Sequence, residues 1–323
     1  MKAVTFKKFG GPEVLEIQDI EIGKPGPKEV LVKNLSIGLN FIDTYHRSGL
    51  YPIPLPSGIG LEACGEIEEV GSEVKLFKIG DRVTHASMPI GAYAEKQIMP
   101  EDKLVSVPDG VSNEVASCIT LKGITAEYLL HRAYPLKKGD KVLYHAAAGG
   151  LGQILCPWAN ALGAEVIGTV GSKEKEQIAK KNGCHHVINY TDNNFVEEVE
   201  KIVGKNGIDV VYDGVGLKTF EGSIEVLKVR GMMVAFGNAS GYVDTIDVKK
   251  HINAKGLFFT RPSIAHYTVK RKELEESAKK VFDAVLSNKF KVEISKKYSL
   301  DEAQKAHEDL EARKLTGPAV ITP

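Results

Sequence analysis

Lys141–Val170 reads KVLYHAAAGGLGQILCPWANALGAEVIGTV, and the order of its parts decides the fold. KVLYH is an apolar run of strand length. Leu151, Ile154, Leu155, Trp158, Ala159 and Leu162 then fall at i, i+3, i+4, i+7, i+8 and i+11, one apolar helical stripe. Gly163 closes that helix, and AEVIGTV begins a second strand. Gly149, Gly150 and Gly152 therefore sit between a buried strand and a helix N-terminus, where free backbone N–H groups and the positive dipole end favour an anion. The pattern is A-x-G-G-x-G rather than G-x-G-x-x-G, so spacing alone is a weak signal. The order strand, glycines, helix, strand carries the reading of a dinucleotide site. A packing turn that needs small residues is the alternative.

The rhythm continues beyond this unit. HVINY, IDVVYDGV, GMMVAFGN and GLFFT are further apolar runs, mostly joined by helix-length segments, which predicts a doubly wound parallel sheet in an α/β domain. Residues 1 to about 120 read differently: EVLVKNLSI, GEIEEVG, GDRVTHA and GAYAEKQIM are short strands punctuated by Gly and Pro, the pattern of a barrel or sandwich. After Arg271 come an amphipathic helix, ELEESAKKVFDAVLSN, a charged helix, DEAQKAHEDLEARK, and AVITP, a strand expected to rejoin the first domain. The expected division is 1–123 completed by 265–323, with 124–264 as the dinucleotide-binding domain.

Composition excludes several classes. Formal net charge is zero and the basic residues are scattered, so neither a nucleic-acid stripe nor a polybasic membrane patch is expected. Val142–Ala164 carries no Lys, Arg, Asp or Glu, but its glycines, Gln153 and Asn160 mark a buried strand, turn and helix rather than a membrane span. Cys64, Cys118, Cys156 and Cys184 form no CxxC, which argues against a disulfide framework or a clustered metal site and for a reducing cytosol. MKAVTFKKFGG lacks the apolar core of a signal peptide. His145, His185 and His186 have no ligand-spaced neighbours and read as structural or surface residues. No G-x-S-x-G occurs.

The next strand end separates the two nicotinamide cofactors. An NAD enzyme usually places Asp or Glu there, on the ribose hydroxyls. Here the chain reads TVGSKEKEQ, with Gly171, Ser172, Lys173 and Lys175 in that place. Two lysines in a first helical turn oppose its dipole unless a phosphate monoester sits beside them, which points to NADPH. A solvated Lys/Glu face is the competing explanation. Tyr190, ending the third strand, can pack on the adenosine end or simply be half-buried.

From end to end the sequence resembles the medium-chain dehydrogenase/reductase superfamily, especially the bacterial NADPH:quinone oxidoreductases and their zeta-crystallin relatives. FGGPEVLE, IGLNFIDTYHRSGLYP, LPSGIGLEACGEIEEVG, GDRV, LKGITAEYLL, HAAAGGLGQ, VYDGVG, FGNASG and TRPS carry the resemblance. It implies a GroES-like β-barrel plus a Rossmann domain, NADPH in the cleft between them, and a homodimer joined through an edge strand. GLFFT, Gly256–Thr260, is the candidate for that seam.

Departures from the zinc alcohol dehydrogenases of that superfamily are informative. Asn40 stands where those enzymes carry a ligand cysteine, and Gly60, Leu61, Glu62 replaces Gly-His-Glu. The four-cysteine lobe is missing too, since no cysteine lies between Cys64 and Cys118; the cysteines that remain read as apolar packing residues. No metal is expected. Oxidising a plain alcohol needs alkoxide stabilisation of the kind a Lewis acid supplies, so a chain without the ligands is expected to reduce acceptors that are already electrophilic. Quinones qualify, and α,β-unsaturated carbonyls qualify on the same residues. One- and two-electron routes both remain open. A non-catalytic NADPH-binding protein, like the zeta-crystallins of lenses, is the reading from another class.

The resemblance also assigns residues. Tyr45 is the preferred polar contact to a substrate carbonyl, with Asn40 and Asp43 orienting the site. Phe41, Ile42 and Thr44 lie beside the nicotinamide. Thr125 and Tyr128, Leu151 within the glycine turn, Val215, and Phe236, Gly237, Asn238 and Ala239 are expected cofactor contacts, as are Pro262, Ser263 and Ile264. Arg313 can reach the cofactor from the C-terminal helix, or be a surface arginine.

Overall fold

The computed structural model describes all 323 residues. They fall into two compact units, Met1–Ile124 with Thr268–Leu286 and Val292–Pro323, and Thr125–Tyr267 with Ser287–Lys291.

The first unit is built from short strands. β1 (Lys2–Phe6), β2 (Glu16–Asp19) and β4 (Ser57–Gly58) form an antiparallel sheet in the order β2-β1-β4. A larger sheet runs β15-β16-β3-β5-β6-β8 with β7 also on β3, from β3 (Glu29–Gly38), β5 (Glu62–Val70), β6 (Arg82–Ala86), β7 (Lys96–Pro100), β8 (Val105–Ser106), β15 (Lys296–Ser299) and β16 (Ala319–Thr322). β3 is long enough to hold β7 along Glu29–Lys33 and the C-terminal β16 at Ile37 and Gly38. Alternate residues point inward, as strand geometry requires: Val30, Val32, Ile67, Val83, Met99 and Leu104 make one core, while Phe6, Ile37, Ile59, Tyr93 and Tyr298 belong to another. Three helices attach here: α1 (Phe41–Ser48), α8 (Arg271–Leu286) and α9 (Ala303–Glu311). A fourth, α2 (Asn113–Tyr128), leads out of the unit.

The second unit is the predicted parallel sheet. β9 (Lys141–His145), β10 (Glu165–Val170), β11 (His186–Asn189), β12 (Ile208–Asp213), β13 (Leu227–Ala235) and β14 (Phe258–Thr260) pair in the order β11-β10-β9-β12-β13-β14, every neighbour parallel. Its helices are α3 (Gly152–Ala161), α4 (Lys173–Lys181), α5 (Phe195–Val203), α6 (Phe220–Val226) and α7 (Ile264–Tyr267). Leu143, Ile167, Ile188 and Val211 pack with Val199 of α5 and Ile224 of α6. Val142, Tyr144, Val166, Val210 and Tyr212 point the other way and are equally buried. A sheet covered on both faces explains why these strands read as continuous apolar runs.

The helix after the glycines contains Pro157, yet it persists to Ala161 and closes at Gly163 as expected, with that glycine left-handed at φ 87°. Two other expectations differ from the structure. The charged C-terminal helix ends at Glu311, so Arg313 is not on it; Arg313 lies beyond, exposed, with φ 57°. Ser287–Lys291 groups with the second unit, where Phe290 meets Trp158 at 5.6 Å between ring centres.

Candidate functional site

In a parallel sheet all strands end on one edge, and strand order reverses between β9 and β12, the switch point at which such sheets bind ligands. The predicted cofactor residues of this unit mostly follow strand ends: Gly149–Gly152 after β9, Gly171–Lys175 after β10, Tyr190 after β11, Val215 after β12, Phe236–Ala239 after β13 and Pro262–Ile264 after β14. The topology brings them to one edge. Thr125 and Tyr128 come instead from α2, where Tyr128 stacks on Tyr267 at 4.5 Å and 7°, with the Arg132 guanidinium 5.1 Å from the Tyr267 ring centre.

The glycine turn is tight for steric reasons. Ala146 is left-handed at φ 62°. A Cβ on Gly152 would lie 2.3 Å from the Ala147 carbonyl oxygen, so only glycine lets the helix begin this close to the strand end. The N–H groups of Gly150 and Leu151 take no backbone partner, leaving donors at the start of α3. At the next strand end, the Ser172 hydroxyl accepts from the Lys175 N–H at 3.3 Å and caps α4. A Cβ on Gly171 would come 2.8 Å from the Tyr190 hydroxyl, so the tyrosine crosses over that glycine.

Two buried groups hold the edge. Asp213 accepts from the Val215 and Gly216 N–H groups (2.8 and 2.9 Å) and from the Thr219 and Ser223 hydroxyls (2.7 and 3.0 Å). Because the Ser223 hydrogen goes to Asp213, His145 Nε2 donates to the Ser223 oxygen at 2.9 Å, and His145 Nδ1 accepts from the Thr169 hydroxyl at 2.9 Å. Burial lowers the His145 pKa, keeping the ring neutral in this structural role.

In the first unit, Asn40 caps α1, and its N–H donates to the Asp43 carboxylate at 3.0 Å. Asn40 and Asp43 are buried. Tyr45 packs edge-on against Phe41 at 5.5 Å and Tyr51 at 5.1 Å, whereas Asp43 faces the barrel and accepts from the Tyr93 hydroxyl at 2.9 Å. Burial pushes the Asp43 carboxyl up to about 7, against the pull of the Asn40 N–H, the Tyr93 hydroxyl and the Lys122 charge. Arg313 belongs to this unit.

The model for an alcohol dehydrogenase GroES-like domain matches residues 26–109, and that for a zinc-binding dehydrogenase matches residues 150–287. A quinone oxidoreductase of Pseudomonas aeruginosa is 45% identical over 323 residues, covering 100% of this chain and 99% of its own. The chain belongs to the quinone oxidoreductase family. A 2-haloacrylate reductase of a Burkholderia species is 44% identical over 331 residues, covering 100% of this chain and 99% of its own. The structure of Escherichia coli quinone oxidoreductase complexed with NADPH superposes with a TM-score of 0.97 at 45% identity, both chains covered in full.

One of the matching models is named for zinc, and the residues of this family member do not fit that ion. The Asn40 amide oxygen accepts from the Lys122 ammonium at 2.6 Å, and its NH2 group donates to Glu62 at 2.8 Å. Lys122 lies 3.7 Å from the same carboxylate, and the Leu121 N–H donates to its other oxygen at 2.6 Å. A dication beside Asn40 would meet an ammonium. No group of three His, Cys, Asp or Glu side chains is placed to hold a metal. The cysteines are buried singly, except that the Cys156 thiol hydrogen-bonds to Cys184.

Lys122, Tyr93 and His307 were not singled out from the sequence. Lys122 lies inside LKGITAEYLL, one of the stretches carrying the family resemblance, yet nothing local marks its contact with Asn40, 82 residues away.

Proposed function

We infer that this protein transfers a hydride from NADPH to quinones without a metal. The observation that carries the reading is the strand-end edge with its glycine turn and, after β10, Gly171, Ser172 and Lys175 in place of a ribose-binding carboxylate. The residues fit the cofactor. The N–H groups of Gly150 and Leu151 suit the pyrophosphate, and Lys175, half-buried in the first turn of α4 with exposed Lys173, suits a 2′-phosphate. When bound, NADPH supplies the hydride; the chain binds it, orients it and holds the acceptor.

The α1 segment is the acceptor half of this reading. Tyr45 donates a hydrogen bond to an acceptor carbonyl, while Phe41 and Tyr51 offer flat apolar surface for a ring. With no Lewis-acid ligand set, the acceptor has to be electron-poor beforehand, which favours quinones over saturated aldehydes. The 2-haloacrylate reductase relative supports a second reading of the same kind, an activated alkene as acceptor.

We also place the protein in the cytosol as a homodimer. No helix is long and apolar enough to cross a membrane, and β14 leaves Phe258 56% exposed on the outermost strand of its sheet, an edge suited to pairing with a second copy. The experiment is an acceptor panel: NADPH oxidation with ortho- and para-quinones, an enone, a 2-haloacrylate and a saturated aldehyde. Turnover with quinones and none with the aldehyde supports the reading; turnover with the aldehyde alone refutes it.

A further inference from the structure

We propose that Tyr93 and His307 are positioning residues of the reduction: together they tie Asp43 to Arg47, one turn further along α1, and so fix which way the helix presents Phe41 and Tyr45. The proposal rests on α1 being the acceptor half of the site.

The circuit is continuous and its directions are determined. Arg47 donates from one terminal nitrogen to His307 Nδ1 at 3.0 Å. A guanidinium only donates, so Nδ1 is an acceptor. The proton of the neutral ring therefore sits on Nε2, which donates to the Tyr93 oxygen at 3.2 Å. The single Tyr93 hydrogen is left for Asp43, at 2.9 Å. Burial, reinforced by the Arg47 charge, lowers the His307 pKa to about 3, so the ring stays neutral and this order holds across the physiological range.

The same directions exclude a proton wire. Arg47 also reaches Glu311 at 2.7 Å, the most exposed member of the chain, but arginine does not give up its proton, so none passes from Glu311 to Asp43. What remains is an anchor. Arg47 is 2% exposed and also donates to the Gly10 carbonyl at 3.1 Å.

Helix geometry turns the anchor into a positioning device. α1 has eight residues, too few to be rigid alone, so side-chain contacts set its rotation. Asp43 and Arg47 lie on one face. Phe41 and Tyr45, two residues earlier in each case, lie about 200° around the axis. Clamping the first stripe from the barrel and α9 aims the second, and displacement of about 1 Å at a reacting centre is enough to cost about a hundredfold in rate.

The test uses His307→Leu, His307→Gln and Tyr93→Phe in the full-length protein. Glutamine preserves both directions, its oxygen accepting from Arg47 and its NH2 donating to Tyr93. Expected for His307→Leu and Tyr93→Phe is a fall in kcat/KM for quinone of about tenfold or more, with NADPH affinity by fluorescence within about twofold of wild type and His307→Gln restoring most of the rate. Equal losses in the Gln and Leu variants, or wild-type rates in His307→Leu and Tyr93→Phe, overturn the proposal. Nitrogen-15 histidine spectra give a readout independent of turnover: His307 should hold its proton on Nε2 from about pH 5 to 9. A ring protonated on Nδ1, or titrating in that range, overturns the clamp. A wild-type protein that reduces no quinone sinks the functional reading, and the tautomer then decides the clamp by itself.

Discussion

The Lys122 ammonium lies 2.6 Å from the Asn40 amide oxygen and 3.7 Å from the Glu62 carboxylate, where it compensates a carboxylate that no solvent reaches. Removing one partner of a buried pair leaves the other charged and unpaired, at a cost of about 3 to 5 kcal/mol. Lys122→Met should lower stability by that order in urea unfolding, and adding Glu62→Gln should recover most of the loss. If the double variant is no more stable than Lys122→Met, the ammonium is not balancing Glu62.

Asp43 makes stability fall as pH rises. Its carboxyl moves from an ordinary value of 3.8 to about 7 in the folded chain, chiefly by burial, with the neighbouring Glu62 adding to the rise and Asn40, Tyr93 and Lys122 opposing it. Between those values the folded protein keeps a proton that the unfolded chain releases, so the stabilisation present below pH 3.8 is lost as pH climbs through 7. Asp43→Asn should flatten the dependence of unfolding free energy on pH between about 4 and 7. An unchanged slope would show that another group carries it.

For Lys175→Ala, the loss of one charged hydrogen bond to phosphate predicts NADPH binding weaker by about 1.5 to 3 kcal/mol with NADH spared. Fluorescence titration of both cofactors reads this directly; equal losses remove the phosphate assignment.

At Gly152 the obstacle is backbone, since an added Cβ would sit 2.3 Å from the Ala147 carbonyl oxygen. Gly152→Ala should lower stability by about 1 to 3 kcal/mol and weaken both cofactors alike, because it distorts the turn and not the phosphate end. Selective loss of NADPH would contradict that division.

Much of the sheet was legible because its signals are local. Apolar runs, the helical stripe from Leu151 to Leu162 and the glycines between them all lie within one short window, and the strand ends follow from their order. Arg313 was misplaced because helix ends depend on local capping: the chain leaves the helix at Glu311 and turns left-handed at Arg313. The support around α1 was illegible for a different reason. Asn40 and Asp43 could be named, but the groups holding them come from far along the chain, Lys122 by 82 residues, Tyr93 by 50 and, through it, His307 by a further 214. Hydrogen bonds across such separations leave no periodicity to read.

On the proposed reading this chain reduces electron-poor acceptors with NADPH and needs no metal. The most direct measurement is kcat/KM for a para-quinone with NADPH and with NADH, before and after exhaustive dialysis against a chelator. Expected are a strong preference for NADPH and a rate unchanged by chelation. Loss of turnover that added zinc restores, or equal use of the two cofactors, would contradict that reading.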